Sequence, residues 1–516
     1  MFARACGGVA VAVAGLVVPV RAQCPDGAPP PCRTRAARAS APRANSVAVL
    51  YFENNSPDTA DVYLADGLTD ELITQLGRIN RLAIAPRSAV RRYRGHAEDP
   101  AALARGLSVS HLVSGSVRRA GSRLRVDVEL VRMPGQQRLW GESYQRTDGD
   151  LFAIQEEIAR AITRAVAGTL LPAERAALAR APSRDPVAYD LYLRGSRSLR
   201  EVSPSSVQQM KLSFDEALRR DPMFSAARGR LAYVYGWAVN WSIPLEGLTI
   251  EDMRRRGLAM ADQALREDSS SSDAWLGRSF LLFFGDPPDY DGALESARRS
   301  VELDTASAWA RQNHAVLLRR LGRFAQSESE YQRSMALAPD FDQPVADRGF
   351  IALTQRRFAE ARRWYDSAIV LLPTGWHHFH YRARIQLLLG DTTAAQADSR
   401  RSMQLVGDAS RHLAQSARAG LLGRTGDTAG GRALIEPILA RFATGPISVR
   451  DGYELAGGLV GAGLHQQALD VLERIRPRGA WLWSYLPFPD YDPIRSDPRF
   501  QRIYDEARPP GAPRLP

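Results

Sequence analysis

The chain has 516 residues, a formal net charge of +11 and a pI near 9.8, and 45% of its residues are hydrophobic. This hydrophobic content excludes a chain that is disordered throughout, and the length predicts about three or four domains. The positive charge does not favour nucleic-acid binding, because nearly every cation is an arginine, with Lys211 as the single lysine, and many arginines fall in the amino-terminal tail.

The amino-terminal stretch "MFARACGGVAVAVAGLVVPVRAQ" predicts a secretory signal peptide over residues 1–22, with cleavage after Ala22. Its apolar run, from about Val9 to Val20, is shorter than the roughly 20 residues that a membrane-spanning helix needs. An uncleaved anchor formed by residues 5–22 is the alternative. The expected location is therefore the periplasm or the medium, or the membrane in the alternative case.

Residues 23–45 are rich in Pro, Ala and Arg and show no apolar period, which predicts a tether. The tether contains Cys24 and Cys32 in "CPDGAPPPC". In an oxidising compartment these two cysteines could form a local disulfide, and two unpaired thiols are the alternative.

Residues 46–171 predict a small α/β domain with a mixed sheet. "VAVLYF" and "RLAIAP" are the expected first strands, separated by an amphipathic helix, and "DPAALARGL" is a short helix. Hydrophobic and polar residues then alternate, as in "RLRVDVELVR", and the pairs Gly121-Ser122 and Pro134-Gly135 mark two hairpin turns. The pattern predicts an antiparallel meander, covered on one face by the helix "LFAIQEEIARAITRAVAGTLL".

This strand-then-helix start is shared with many nucleotide-binding enzymes, but the glycines that cradle a phosphate are absent from "FENNSPDTADVYLADG". The chain also lacks H-E-x-x-H and G-x-S-x-G motifs, and its cysteines are too few for a zinc site. We therefore predict no catalytic, cofactor-binding or metal site. The alternative is a small-ligand-binding or hydrolytic domain that uses acidic residues near Glu53 and Asp66.

Residues 185–507 predict an all-α repeat array, preceded by a linker over residues 172–184. Equivalent apolar residues fall 34 apart at one position of the pattern: Val301, Met335, Ile369 and Met403. A period of 34 residues with two helices in each unit is the signature of tetratricopeptide repeats. "FPDYDPIRSDPRFQRIYDEA" predicts a carboxy-terminal capping helix, and residues 508–516 predict a disordered tail.

Within each repeat, small residues allow neighbouring helices to approach and aromatic residues fill the space between them. Ala315 and Gly349 fall at the small position of the first helix, and Tyr331 and Tyr365 fall at the aromatic position of the second helix. Several registered steps of this kind predict a stacked superhelix rather than a compact globule.

The segment "VAVLYFENNSPDTADVYLADGLTDELITQLGRI", continued by "LVSGSVRRAGSRLRVDVELV", resembles the TolB amino-terminal-type (FlgO-like) domain. In relatives this domain and a tetratricopeptide array commonly follow a nucleotide-cyclase, protein-kinase or winged-helix domain. Here the predicted signal peptide and tether stand in that place. The resemblance therefore implies an exported accessory protein and supplies no catalytic residues.

The candidate binding site is the concave groove of the array, which first-helix positions two, five and nine line in this repeat type. Aromatic and cationic groups there could hold an extended peptide that carries a carboxylate. A solvated face that binds nothing tightly is the alternative. The predicted groove residues are Trp309, Gln312, Val316, Arg319, Phe350, His377, His380 and Arg384.

His377 and His380 are three residues apart, a spacing that could hold a metal, but the sequence offers no carboxylate or cysteine nearby to complete a site. The expected function is a non-catalytic extracytoplasmic scaffold that binds protein or peptide segments. Nucleic acid is not an expected partner, and membrane contact is expected only through an uncleaved amino-terminal segment. The alternative is a ligand-sensing or regulatory subunit of a separate cyclase, kinase or transcription factor.

Overall fold

The computed structural model describes residues 44–515, except 86, 92, 95–98, 148–150, 180–182, 184, 198–203, 242, 244, 246, 286, 306, 446 and 476–478. The predicted signal peptide, almost all of the tether and the possible disulfide between Cys24 and Cys32 lie outside the described residues. Among the described helices, none combines the length and the apolar character needed to cross a bilayer.

The amino-terminal part is a mixed sheet with helices on its faces. The sheet order is β3-β1-β4-β5-β6, with β2 beside β4. β1 runs parallel to β3 and β4, and β4, β5 and β6 form an antiparallel meander. The elements are β1 (Ser46–Val49), β2 (Glu53–Asn54), α1 (Val62–Gly77), β3 (Ala83–Ile84), α2 (Arg87–Arg91), α3 (Pro100–Leu107), β4 (His111–Ala120), β5 (Arg123–Arg132), β6 (Gln137–Thr147) and α4 (Leu151–Ala167).

The alternation along β5 decides which face of the sheet is covered. Val126 and Leu130 are fully buried in the core that includes α1 and α4, while Arg125 and Asp127 are partly exposed and pair with each other at 3.0 Å. On α4, Ile158 and its neighbours one turn away contribute a fully buried stripe to the same core. The predicted α/β fold class is confirmed.

The rest of the chain is helical. Its helices up to the last repeat are α5 (Pro172–Leu178), α6 (Pro186–Arg197), α7 (Pro204–Arg220), α8 (Ser225–Trp241), α9 (Ile250–Glu267), α10 (Ser272–Phe283), α11 (Tyr290–Leu303), α12 (Ala308–Arg320), α13 (Phe324–Leu337), α14 (Asp342–Thr354), α15 (Phe358–Leu371), α16 (Trp376–Leu388), α17 (Thr392–Leu405), α18 (Arg411–Arg424), α19 (Thr428–Arg441), α20 (Val449–Gly461) and α21 (His465–Arg474).

The helices pair into successive hairpins, and the predicted small and aromatic residues explain how the two helices of each hairpin pack. Ala315 and Tyr331 are fully buried in one cluster. A Cβ atom added at Gly349 would approach the Tyr365 ring within 2.8 Å, so the aromatic ring fills the space that glycine leaves. Ser334 Oγ adds a hydrogen bond of 2.8 Å to the carbonyl of Ala308. The predicted array of stacked helical hairpins is confirmed.

The α/β part and the array share one core, which corrects the predicted linker over residues 172–184. Helix α5 lies within that range, and its Glu174 pairs with Arg81 at 2.6 Å. Tyr189 of α6 is buried and accepts a hydrogen bond of 3.0 Å from Gln155 of α4. Residues 172–178 are helical because Pro172 suits a first helical turn and the apolar residues of the helix have an apolar surface to cover.

The carboxy-terminal segment, residues 480–515, contains α22 (Ala480–Trp483), a 3-10 turn (Pro489–Ile494) and α23 (Pro498–Ala507). Helix α23 lies against α21, and Arg499 pairs with Glu473 at 2.7 Å. Residues 508–515, expected to form a disordered tail, instead pack on the array. Ala512 is buried, and the Leu515 amide donates to the Tyr504 hydroxyl at 2.8 Å. The prolines of this tail lose little conformational freedom on ordering, so modest apolar contact suffices to hold it.

Candidate peptide-binding groove

The inner face of the array is the surface formed by the first helices of the hairpins, and the eight predicted groove residues lie on α12, α14 and α16. The structure shows that this face is already covered. The carboxy-terminal segment turns back after the last repeat and lies across the inner face, with contacts from the end of α10 as far as α20. The sequence analysis did not predict this arrangement.

Three of the four predicted groove residues of α12 contact other parts of the array. The Trp309 indole N–H donates to the Tyr233 hydroxyl, and Gln312 Nε2 donates to Asp347 Oδ2 at 2.9 Å. Val316 packs in the repeat core with Ile351 and does not face the groove.

Phe350 is the aromatic centre of the inner face. Its ring centroid is 5.2 Å from that of Tyr485 and 4.8 Å from that of Phe488, both from the carboxy-terminal segment. The guanidinium carbon of Arg319 lies 4.0 Å from the Phe350 ring centroid. Aromatic pairs and arginine–aromatic contacts of this kind stabilise packing beyond the area that they bury.

A buried network of charges joins three helices and the carboxy-terminal segment next to this aromatic centre. Arg384 of α16 pairs with Glu454 of α20 and with Asp490 of the carboxy-terminal segment, each at 3.0 Å. Arg424 of α18 also pairs with Asp490, and its Nη2 donates to the Asp490 carbonyl at 3.2 Å. His380 Nε2 lies 3.0 Å from Glu454 Oε1.

Burial and charge act in opposite directions on the two carboxyl groups. Burial by itself would raise the pKa of Glu454, but His380 and Arg384 together lower it to about 2. Burial likewise opposes ionisation of Asp490, and the charges of Arg384 and Arg424 hold its pKa below the usual value. Both groups are therefore carboxylates at neutral pH, which a buried pair with arginine requires.

The end of α12 carries more positive than negative charge. Arg319 and Arg320 are both buried, and the nearest carboxylate, that of Asp347, is 3.6 Å from Arg319. Arg320 donates to Asn240 Oδ1 at 2.9 Å, its guanidinium carbon is 5.2 Å from the Trp481 ring centroid, and burial lowers its pKa to about 10. The Nε atoms of both arginines and Nη1 of Arg319 are buried without a hydrogen-bond partner.

Histidines at the start of α16 form a second cluster. The structure brings His377 and His378 close to Asp342, with His378 Nε2 2.8 Å from Asp342 Oδ2, and burial lowers the pKa of His377 well below its usual value. A similar pair, His412 with Asp451 at 2.8 Å, joins the next first helices. Because the pairing recurs between successive hairpins, we assign it to repeat stacking. His380, which the sequence analysis grouped with His377, contacts Glu454 instead.

The two acidic residues named for the hydrolytic alternative lie in different surroundings. Glu53 is exposed on β2, whereas Asp66 is buried in α1 and pairs with Arg94 at 2.6 Å.

Sequence reasoning missed the residues that complete the inner face. Five of the eight lie in "WLWSYLPFPDYD", whose aromatic density exceeds what a capping helix needs and is the one signal that could have revealed them. The missed residues are Arg320, Arg424, Glu454, Trp481, Trp483, Tyr485, Phe488 and Asp490.

Two comparisons concern the sequence. Residues 43–161 match the family model described as HilA/YgeH-like transcriptional regulator, second domain. "Putative adenylate cyclase 3" of Rhizobium meliloti (strain 1021) is 30% identical over 231 residues, which are 44% of this chain and 38% of that protein. The chain therefore spans little more than a third of this relative. The TolB-type resemblance of the amino-terminal domain stays an expectation.

Solved structures with similar folds include tetratricopeptide proteins. One from Parabacteroides merdae is 11% identical, covers 55% of this chain and 100% of its own, and has a TM-score of 0.37. PilW, a type IV pilus biogenesis factor, is 20% identical, covers 42% of this chain and 94% of its own, and has a TM-score of 0.33. At such TM-scores the assignment rests on the registered hairpins of the chain itself. The helical part is a tetratricopeptide-repeat array.

Proposed function

We propose that this protein is a non-catalytic scaffold that binds a segment of another protein on the inner face of its tetratricopeptide array. The observation that carries the proposal is that this face already holds an aromatic and acidic segment, residues 480–494. Phe350 receives Tyr485 and Phe488, and Arg384 receives Asp490. A surface that accommodates such a segment from its own chain has the shape and chemistry to accommodate one from a partner.

Electrostatics favours an acidic partner. Arg319 and Arg320 are buried, Asp347 supplies the one carboxylate near them among the described residues, and three of their nitrogen atoms have no hydrogen-bond partner in that part of the chain. Arginine presents a planar fork of donors that matches a carboxylate, and charge-assisted hydrogen bonds of this kind are about twice as strong as neutral ones. A partner carboxylate near the end of α12 would satisfy donors that the chain itself leaves unsatisfied.

The test is affinity capture from a whole-cell extract with three forms of the full chain: the unaltered protein, Arg319→Gln with Arg384→Gln, and a control. The control is Arg333→Gln with Arg401→Gln, which removes the same charge from the outer helices α13 and α17, where both side chains are exposed. The expected result is a partner recovered by the unaltered protein and the control but lost from the inner-face variant.

Equal recovery of every captured protein by the three forms contradicts binding on the inner face. Because Arg319 and Arg384 are buried, the variants are first compared by circular dichroism and thermal unfolding. If the double variant is unfolded, Trp309→Ala takes its place, since Trp309 is only half-buried.

We also propose that the scaffold acts outside the cytoplasm. The support is the sequence of residues 1–22, which has the short charged start, apolar middle and small-residue exit of a secretory signal. A fusion of alkaline phosphatase after Asn45 is expected to be active in a bacterial host. An inactive fusion contradicts export.

A regulatory role beside a separate cyclase is the second candidate, and the relative named putative adenylate cyclase favours it. In that case the purified full chain, incubated with ATP and Mn²⁺, forms no cyclic AMP, and its addition changes the rate of a separately expressed cyclase. Cyclic AMP above the blank from the purified chain would contradict the non-catalytic part of both candidates.

A further inference from the structure

The carboxy-terminal segment has two separate roles, and only one of them is that of a capping helix. Helix α23 covers the last repeat, with Phe500 and Ile503 fully buried and Arg499 paired with Asp470 at 2.6 Å. Residues 480–494 pack against α23, with the Tyr491 ring centroid 5.6 Å from that of Phe500, but they also extend well beyond it. They run back across the inner face past the α16–α17 and α14–α15 hairpins. The path ends at Phe284, after α10, and at Tyr290, the first residue of α11.

Aromatic anchors hold residues 480–494 along this path. Trp481 contacts Phe284 at a centroid distance of 4.8 Å, and its ring lies 5.2 Å from the Arg320 guanidinium carbon. Tyr485 stacks on Tyr453 at 3.7 Å. Large aromatic side chains in pockets are the usual energetic centres of protein–protein interfaces.

A charged anchor follows the aromatic ones. Asp490 is 4% exposed and contacts both Arg384 and Arg424. Two residues later, Asp492 pairs with Arg356 in a partly exposed position. Spaced aromatic rings followed by a buried carboxylate are typical of a bound peptide ligand. Here the ligand-like segment belongs to the same chain as the surface that binds it.

We propose that residues 480–494 are a built-in ligand that holds the place of the partner, and that the partner displaces them with a segment of the same chemistry: closely spaced aromatic residues followed by an aspartate or glutamate. This inference rests on the proposed function. A tethered segment is present at an effective concentration of the order of millimolar. The apparent dissociation constant of a free segment is therefore the intrinsic one divided by the small fraction of chains in which the inner face is open.

The probe is a fluorescent synthetic peptide with the sequence of residues 479–494, "GAWLWSYLPFPDYDPI". Its binding is measured by fluorescence anisotropy against the full chain and against the full chain with Phe488→Ala and Asp490→Asn. These changes loosen the built-in ligand and leave every side chain of the first helices unaltered. The matched control is Asp492→Asn, which alters the partly exposed neighbour.

The expected result is at least ten-fold tighter binding of the peptide by the Phe488→Ala, Asp490→Asn chain than by the unaltered chain, with Asp492→Asn close to the unaltered value. A peptide that itself carries Phe488→Ala and Asp490→Asn is expected to bind weakly to all forms. If the double variant is unfolded by circular dichroism, the single variant Asp490→Asn replaces it, with at least a three-fold effect expected.

Equal affinity of the peptide for all folded forms, or no binding to any of them, overturns the inference. The peptide experiment and the affinity capture can fail independently. If the opened chain binds the peptide but the capture yields no protein that depends on Arg319 and Arg384, the built-in ligand is supported and the binding of another protein is contradicted. A captured partner that depends on Arg384, combined with no peptide binding, does the reverse.

Discussion

The space between the two helices of each hairpin and the inner face of the same hairpins are built on different principles. Within a hairpin, a small residue of the first helix meets an aromatic ring of the second, as Gly349 meets Tyr365, and Ala315 and Tyr331 repeat the arrangement in the preceding hairpin. On the inner face, Phe350 contacts Phe488 and Arg384 pairs with Asp490. Each of these contacts occurs once in the described chain, and its two residues are more than 100 positions apart in the sequence. The first set of contacts builds the superhelix, and the second set determines what lies on it.

Stability and recognition therefore reside on separate surfaces of one helix. A residue between the two helices of a hairpin can be exchanged only for one of similar volume, because it is closely packed on all sides. A residue on the inner face is matched to a ligand, so its loss should affect the carboxy-terminal segment more than the array. The following predictions test this division, in order of decreasing effect.

Tyr365→Ala should have the largest effect, because Tyr365 is 2% exposed and fills the space beside Gly349. We expect the free energy of unfolding to fall by about 3–5 kcal/mol, the usual range for deleting a buried aromatic side chain. Urea denaturation followed by circular dichroism measures this change.

Val370→Ala is the control in the same helix, since Val370 is 78% exposed, and a change within about 0.5 kcal/mol is expected. A similar loss for both variants would show that packing between the two helices of a hairpin does not control stability.

Asp490→Asn should release the carboxy-terminal segment without unfolding the array. Removing one partner of a buried ion pair leaves Arg384 and Arg424 inadequately paired, at a cost of about 3 kcal/mol. Hydrogen exchange should show lost protection over residues 480–494 and unchanged protection in α13 and α15. Unchanged exchange in residues 480–494 would contradict the anchoring role of Asp490, and Asp492→Asn is the matched control.

Acid should loosen the same attachment. Because the folded-state pKa of Glu454 is lowered from 4.5 to about 2, its stabilising contribution is complete above pH 4.5 and is lost as the pH falls towards 2. The lowered pKa of Asp490 acts in the same direction. Fluorescence of Trp481 and Trp483, followed from pH 5 to pH 2, should report a transition that Asp490→Asn diminishes. A transition centred above pH 5 would contradict this assignment.

Arg356→Ala should have the smallest effect. Arg356 pairs with Asp492 at 2.5 Å, but both side chains are partly exposed, so solvent screens the pair. We expect a loss of less than about 1 kcal/mol in the free energy of unfolding, measured by thermal or urea denaturation. A loss as large as that of Asp490→Asn would remove the distinction between the buried and the exposed anchor.

The repeat array was predictable from the sequence because its contacts are periodic. The 34-residue step places Met335 and Ile369 at equivalent positions, and the hydrophobic alternation of β5 places Val126 and Val128 in the sheet core. Local physics determines these patterns, since helix and strand periods reveal which side of an element is buried.

The occupant of the inner face was not predictable in this way. The contacts of Phe350 with Phe488 and of Arg384 with Asp490 join positions that no period relates, and each sequence stretch taken alone is compatible with an exposed surface. The packing of residues 508–515 was not predictable for the same reason, because Pro513 lies against Gly322, which is far away in the sequence. Only the folded arrangement of the array shows that these segments have a surface to cover.

The most direct test of the central claim, that the inner face binds an aromatic and acidic segment, is a double-mutant cycle with Arg384→Gln and Asp490→Asn. The two side chains lie 3.0 Å apart and are both buried. Urea denaturation of the four proteins should give a coupling free energy of at least about 1.5 kcal/mol, as close buried charge pairs do. A coupling free energy within about 0.3 kcal/mol of zero would show that Asp490 does not lie against Arg384 in solution, and the account of the inner face would be contradicted.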